Sequence, residues 1–102
     1  GDIAQAIVKY HKEHGGFLRE DDLAEFRVGL EDPIAIDYRG TVIYTCGPWC
    51  QGPALQQILK LLEGFDLTSL GHNSAEYIHT LVEAIKLAFA DRHFYYADPK
   101  FI

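Results

Sequence analysis

Residues 45–57, TCGPWCQGPALQQ, contain both cysteines and the only tryptophan of the chain. Cys46 and Cys50 stand directly before an apolar helical pattern, the position at which thiol oxidoreductases carry a Cys-x-x-Cys pair. Here three residues separate the cysteines, one more than in that motif, and the strand–helix–strand context of a thioredoxin-like fold is missing. We therefore interpret the segment as a strand-to-helix loop, and we keep a thiol redox module that uses Cys46 and Cys50 as an alternative.

Other side chains that can ligate a metal or transfer a proton are scattered along the chain. His11 and His14 lie three residues apart and are predicted to be exposed at a helix end, where the negative end of the helix dipole favours histidine. A structural zinc site needs four ligands, and no second pair has a suitable spacing. Glu83, Asp91 and Asp98 have no nucleophile beside them and are interpreted as solvated helix residues. The sequence thus predicts no catalytic, cofactor-binding or metal-binding residue in this chain.

Hydrophobic periodicity predicts the helices that position these residues. Helices are predicted over residues 2–14, 21–26, 53–63 and 74–90. Glycines at 15 and 16 are expected to end the first helix, and Gly64 the third. Asn73 is expected to cap the last helix, with Glu76 in the capping-box position.

A period of two appears between the second and third helices. Ile34, Ile36 and Tyr38 alternate with other residues, and a β-branched and aromatic run follows at 41–45. Two such runs on either side of Arg39 and Gly40 predict a β-hairpin. The predicted fold class is therefore α+β, with one hairpin packed against about four helices. A two-stranded sheet is only marginally stable unless helices or further strands pack against it. We therefore expect the sheet to continue in residues outside this chain.

Composition limits the class of protein further. A chain of 102 residues is long enough for one domain, and 48% hydrophobic residues are typical of a globular protein. The net charge of −6 disfavours a nucleic-acid partner, which needs a basic surface. No apolar run approaches the ~20 residues of a membrane span. The chain contains no methionine, so we expect it to be a segment of a longer polypeptide.

Several ordered stretches resemble the γ-glutamyltranspeptidases, also called glutathione hydrolases. Together they cover essentially the whole chain, and the ordered set is more specific than any single stretch. They are GDIA at 1–4, GGFL at 15–18, DLAEF at 22–26, DYRG at 37–40, GPWCQG at 47–52, LQQILKLLEGFDL at 55–67 and EAIKLAFADR at 83–92, followed by Asp98 and Pro99.

The resemblance implies a fold and a mechanism. Members of this family have the αββα fold of N-terminal-nucleophile hydrolases, and their precursor cleaves itself into a large and a small subunit. The new N-terminal threonine of the small subunit is the nucleophile, and its own amine is the base. It transfers a γ-glutamyl group through an acyl-enzyme to water, an amino acid or a peptide. None of the four threonines of this chain matches that position; they are Thr41, Thr45, Thr68 and Thr80.

By this resemblance, residues 1–102 form a single partial domain from the later part of the large subunit. The implied partners are the remainder of the large subunit and the small subunit, and γ-glutamyl substrates would bind through the complete enzyme. The resemblance implies no catalytic, cofactor or metal residue here. Relatives are often exported, but neither the resemblance nor two cysteines establish the compartment of this protein.

The loop with the two cysteines departs from the family pattern. Relatives typically have a proline-rich stretch and then Ser-Gly-Gly, where this chain has Trp49, Cys50 and Gln51. The departure leaves other acyl donors open, such as cephalosporin side chains or polyglutamate. A free-standing interaction module remains a further alternative. The isolated chain is expected to self-associate, because one hairpin cannot cover the apolar stripes of both long helices.

Overall fold

The computed structural model describes residues 1–101, which form four α-helices and one antiparallel β-hairpin. The elements are α1 (Asp2–Glu13), α2 (Glu20–Glu25), β1 (Ile34–Tyr38), β2 (Thr41–Thr45), α3 (Gly52–Leu62) and α4 (Ala75–Tyr95). The predicted α+β class, with one hairpin and about four helices, is confirmed. The chain divides into two compact units, Gly1–Leu30 and the part from Glu31 onward.

The first unit contains α1 and α2. Helix α1 ends as expected, with Gly15 in the left-handed region at a φ of 72°. At the start of α2, the Asp22 carboxylate accepts a hydrogen bond of 2.7 Å from the backbone N–H of Arg19. This bond satisfies one backbone donor outside the helical ladder and places negative charge at the positive end of the helix dipole. Val8 is the buried side chain of this unit.

The hairpin of the second unit closes at the predicted turn. Ile34 pairs with Thr45, Ile36 with Ile43 and Tyr38 with Thr41. Arg39 and Gly40 both have positive φ, 52° and 81°, as a two-residue hairpin turn requires. The register therefore places the Ile36–Ile43 pair, which is half-buried, on one face of the sheet.

Helix α3 is the central element of the second unit. It contacts both strands and also α4. Proline at position 53 lies in its first turn, where no N–H is needed. Buried Ala54 on α3 and buried Ala84 and Ala88 on α4 are small enough to let the two helix backbones approach closely. Among the described helices, none combines the length and the apolar character needed to cross a membrane.

Two helix ends differ from the expectation. Ser74, not Asn73, caps α4, because its hydroxyl accepts a 3.0 Å hydrogen bond from the N–H of Tyr77. Asn73 itself has a φ of 57°, whereas an N-cap residue needs extended dihedrals. At the end of α3, Gly64 is not among the glycines with positive φ; the last turn tightens instead, with the N–H of Gly64 bound to the carbonyl of Leu61 at 3.4 Å.

Candidate functional site

The loop between β2 and α3 contains both cysteines. The N–H of Cys50 donates to the carbonyl of Gly47 at 3.2 Å and closes a turn. Both thiols are free; Cys46 is exposed and Cys50 is half-buried. The Cys50 thiol raises the pKa of Cys46 through a hydrogen bond and, secondly, through charge repulsion. Because catalytic cysteines need a lowered pKa, the surroundings of Cys46 favour the structural interpretation of this loop.

Trp49 anchors the same loop through a hydrogen bond of its side chain. Its indole N–H donates a hydrogen bond of 2.6 Å to the Glu31 carboxylate. A methyl group added to Gly47 would meet the indole nitrogen at 3.3 Å, so the ring lies close above this glycine. The tryptophan therefore ties the loop to the segment that precedes β1.

Arg39 connects the hairpin turn to the end of α3. Its guanidinium donates to the carbonyls of Leu62 at 3.2 Å and Phe65 at 2.6 Å, which lie at the end of α3 and just beyond it. Its backbone N–H donates to the Glu63 carboxylate at 3.2 Å. The pKa of Glu63 is lowered, first by a hydrogen bond from Lys60 and then by this N–H. A cation at the negative end of the helix dipole is favourable, so this contact stabilises the helix terminus.

Gln56 is the buried polar side chain of the second unit. Its amide donates to two strand carbonyls, Ile34 at 2.8 Å and Ile43 at 3.3 Å. The carbonyls belong to β1 and β2, so one side chain attaches α3 to both strands. A buried amide without such partners would be costly, and these bonds therefore determine where the hairpin lies on the helix.

A second polar group links α3 to the end of α4. The amide of Gln57 donates to the Asp91 carboxylate at 2.5 Å, and its carbonyl accepts from the Tyr96 hydroxyl at 2.8 Å. All three side chains are half-buried. Asp91, which the sequence analysis interprets as a solvated helix residue, is instead half-buried and binds an amide. The arrangement joins α3 to α4, which is what a structural carboxylate does.

The other two carboxylates have local partners as well. Glu83 accepts from Lys86 at 2.7 Å, and this bond is the main reason why the pKa of Glu83 is lowered. The Asp98 carboxylate accepts from the N–H of Lys100 at 3.0 Å. Glu83, Asp91 and Asp98 therefore have three different partners. Each of these contacts is of a kind that stabilises structure.

The two histidines of the first unit also have separate contacts. His14 stacks on the Tyr10 ring with 4.1 Å between centroids, and its Nδ1 lies 2.8 Å from the Tyr10 carbonyl. His11 Nδ1 accepts from the N–H of Leu18 at 3.4 Å. Within residues 1–101, no group of three or more histidine, cysteine or acidic side chains has an arrangement that could hold a metal ion.

A row of apolar side chains on α4 remains exposed. Ile78, Val82, Ile85 and Phe89 are spaced by four, three and four residues, so they share one side of the helix. Their exposed fractions are 48%, 45%, 41% and 47%. This row, the α4 stripe, lies next to the helix face that holds buried Ala84 and Ala88. It is an apolar surface of the kind that marks a contact with other polypeptide.

Comparison with known proteins identifies the family. The profile of the family described as Gamma-glutamyltranspeptidase matches residues 1–102, the whole chain. The chain belongs to the γ-glutamyltranspeptidase family. The resemblance of the ordered sequence stretches is thereby confirmed.

Individual members of this family agree with the assignment. The chain is 41% identical over its whole length to the Acylase ACY 1 proenzyme of Pseudomonas sp. strain SE83, and 38% identical to the Glutathione hydrolase proenzyme of Escherichia coli K12. It covers 18% of each of these proteins. The crystal structure of Helicobacter pylori γ-glutamyltranspeptidase superimposes with a TM-score of 0.86 at 37% identity, over 100% of this chain and 30% of that one.

These likenesses also confirm the fold assignment. The chain has the fold of a segment of the γ-glutamyltranspeptidases, which are N-terminal-nucleophile hydrolases, and this family is enzymatic. The chain spans less than a fifth of the length of the curated relatives cited above. The activity, substrates and partners of the complete protein are therefore taken up below as proposals.

Sequence reasoning did not foresee the polar contacts that join the elements. Gln56 and Gln57 belong only to a family stretch in the sequence, Arg39 belongs to the predicted turn and to another stretch, and no contact was predicted for any of the three. A signal for Gln56 and Gln57 does exist, because two adjacent amides interrupt an otherwise apolar helical pattern in α3. A polar residue in such a pattern is expected to find a hydrogen-bond partner when it is buried.

Proposed function

We propose that this chain is a scaffold segment of an enzyme that transfers a γ-glutamyl group to water, an amino acid or a peptide through an acyl-enzyme. The observation that carries the proposal is the match of the whole chain to the γ-glutamyltranspeptidase family. The contacts within the chain agree with a structural role, because Gln56, Gln57, Arg39 and Asp91 bind other parts of the segment. The nucleophile is proposed to be an N-terminal threonine outside these 102 residues.

A threonine in the middle of a chain cannot serve both of the roles that this mechanism needs. Its nitrogen belongs to a peptide bond, whose lone pair is delocalised, and so it is no base. The hydroxyls of Thr45 and Thr80 also donate to backbone carbonyls, of Cys46 at 3.3 Å and Glu76 at 2.9 Å. We therefore propose that none of the threonines of this chain attacks the substrate.

The complete polypeptide that carries this segment tests the proposal. It is expected to release p-nitroaniline from a γ-glutamyl anilide, faster when a dipeptide acceptor is present. Alanine variants of each of the four threonines are expected to keep kcat within about threefold of the wild type, whereas loss of a nucleophile costs on the order of 10⁶-fold. A loss of that size at any of the four positions, or no turnover by the wild type, would contradict the proposal.

A second acyl donor is favoured by one specific observation. The acylase proenzyme from Pseudomonas is as similar to this chain as the glutathione hydrolase from Escherichia coli, with 41% and 38% identity. The same N-terminal-nucleophile chemistry can cleave another amide-linked acyl group, such as a cephalosporin side chain. Comparing kcat/KM for a γ-glutamyl anilide and an N-acylated cephalosporin distinguishes the two donors.

The α4 stripe is proposed to be covered by the remainder of the parent enzyme. Support comes from the exposure of Ile78, Val82, Ile85 and Phe89 and from the small share of the relatives that this segment represents. When the chain is alone, a second copy is the apolar surface available to cover the stripe. Self-association of the isolated chain is thus a consequence of the proposal.

Sedimentation velocity on the purified 102-residue chain is expected to show dimers or larger species. Ile85→Lys is expected to raise the dissociation constant at least about tenfold, because burial of one isoleucine contributes about 1.5–3 kcal/mol. His79→Lys is the matched control, since His79 is exposed on a different side of α4 and should leave the dissociation constant unchanged. A clean monomer at the highest soluble concentration would count against this surface.

A further inference from the structure

The two cysteines have no part in the proposed acyl transfer. They lie in the cysteine loop, residues 46–51, between the last residue of β2 and the first residue of α3. Both thiols are free, Cys46 is exposed and Cys50 is half-buried. An exposed thiol with a second thiol nearby is the arrangement from which a disulfide forms by exchange.

The backbone of the cysteine loop brings the two residues together. The hydrogen bond from the N–H of Cys50 to the carbonyl of Gly47, 3.2 Å long, turns the chain back on itself. The loop then closes so tightly that a methyl group on Gly52 would overlap the carbonyl oxygen of Cys46 and lie 2.7 Å from the Thr45 Cβ. Only glycine fits at this point, so the two ends of the loop are in direct contact.

The side chains agree with this geometry. The neighbouring Cys50 thiol is the first cause of the raised pKa of Cys46. The Trp49 indole is held by Glu31 at 2.6 Å, which fixes the residue between Pro48 and Cys50. The loop thus holds two cysteines, four residues apart, on a closed and anchored backbone.

We propose that Cys46 and Cys50 are an oxidation site that closes as a disulfide within the loop when the protein meets a small-molecule disulfide. The loop is a modification site in this proposal and no oxidoreductase centre. The product ties the end of β2 covalently to the start of α3.

The reaction is a pair of exchange steps. In the minor fraction of molecules in which Cys46 has lost its proton despite its raised pKa, the exposed Cys46 thiolate attacks one sulfur of the small disulfide. A mixed disulfide forms and one small thiolate is released, which takes up a proton. The Cys50 thiolate then attacks the Cys46 sulfur and releases the second small thiolate, which is protonated in turn. Two protein thiols are oxidised to one disulfide, and one small disulfide is reduced to two thiols.

The test uses the complete polypeptide that carries this segment, equilibrated in mixtures of 2-mercaptoethanol and bis(2-hydroxyethyl) disulfide. Remaining thiols are alkylated with iodoacetamide under denaturing conditions, and the protein is digested with trypsin. The peptide of residues 40–60 holds both cysteines, because Arg39 and Lys60 flank it and no other lysine or arginine lies between them. Its mass reports the state of the pair independently of cysteines elsewhere.

The oxidised wild-type peptide is expected to be lighter by two hydrogen atoms and to carry no adduct. Cys50→Ser is expected to leave Cys46 trapped as the mixed disulfide with mercaptoethanol. The ratio of thiol to disulfide at half-oxidation is expected to shift at least about tenfold when the protein is equilibrated in urea, because the folded loop raises the effective concentration of one thiol at the other. This comparison of the midpoint with and without urea uses the wild-type protein alone.

Four results would overturn the proposal. They are alkylation of both cysteines at the most oxidising ratio, a stable mercaptoethanol adduct on the wild-type peptide, a disulfide to another chain in place of the internal one, and an unchanged midpoint in urea. The first three would mean that the thiols do not pair with each other. The last would mean that the folded loop contributes nothing to the pairing.

Discussion

The purified 102-residue chain is expected to release no p-nitroaniline from a γ-glutamyl anilide above the uncatalysed rate. In this chain the free α-amine belongs to Gly1, which has no hydroxyl, and every threonine nitrogen is a peptide nitrogen. The hydroxyl and the amine that N-terminal-nucleophile catalysis needs therefore never occur on one residue. Because enzymes typically accelerate their reactions 10⁶-fold or more, the difference from the complete polypeptide is expected to be at least about that large.

Absorbance of released p-nitroaniline measures both proteins at equal molar concentration. A circular dichroism spectrum with helical minima is the control that the isolated chain has formed its helices. Turnover by the folded 102-residue chain would contradict the scaffold assignment. Turnover by neither protein would instead contradict the acyl donor that we propose for the complete enzyme.

Gln56→Leu is expected to lower the free energy of unfolding by about 2 kcal/mol, since it removes a buried donor that binds two strand carbonyls. Gln56→Glu is expected to cost more, about 3 kcal/mol, because it replaces the donor with a buried charge that faces carbonyl oxygens. Natural domains have about 5–15 kcal/mol in total. Either loss is therefore a large fraction of the stability.

Urea unfolding followed by circular dichroism, at concentrations where the chain is monomeric, measures these changes. Gln51→Leu is the matched control, because Gln51 is exposed at the start of the same helix and its side chain makes no capping bond. It is expected to stay within about 0.5 kcal/mol of the wild type. Equal stabilities for the two leucine variants would show that Gln56 does not attach the hairpin to α3.

The regular elements could be predicted because their signals are local. Ile34, Ile36 and Tyr38 alternate in the sequence as they alternate in β1, and Arg39 and Gly40 supply the two positive φ angles of the turn. The end of α1 at Gly15 follows from the same kind of signal. Errors appear where two neighbouring residues are equally good candidates, as Asn73 and Ser74 are for the cap of α4.

The contacts between elements could not be predicted in this way. Gln57 lies 34 residues from Asp91 and 39 from Tyr96, and the Arg39 guanidinium reaches carbonyls more than 20 residues away. Nothing in the local sequence says that these groups meet. Their meeting depends on how closely α3 and α4 pack and on the face of α3 that the hairpin covers.

By itself, the sequence determined the order and type of the elements and, through the ordered stretches from GDIA to EAIKLAFADR, the family. Backbone propensity and hydrophobic periodicity act over a few residues. The order and type of the elements can therefore be predicted from the sequence before the fold is known. Only the tertiary structure decided that Gln56 joins α3 to both strands, that Asp91 binds an amide and that the backbone of the cysteine loop closes on itself. The first two facts depend on distances between residues that are far apart in the chain. The third depends on how the loop backbone closes, which the spacing of the two cysteines in the sequence does not determine.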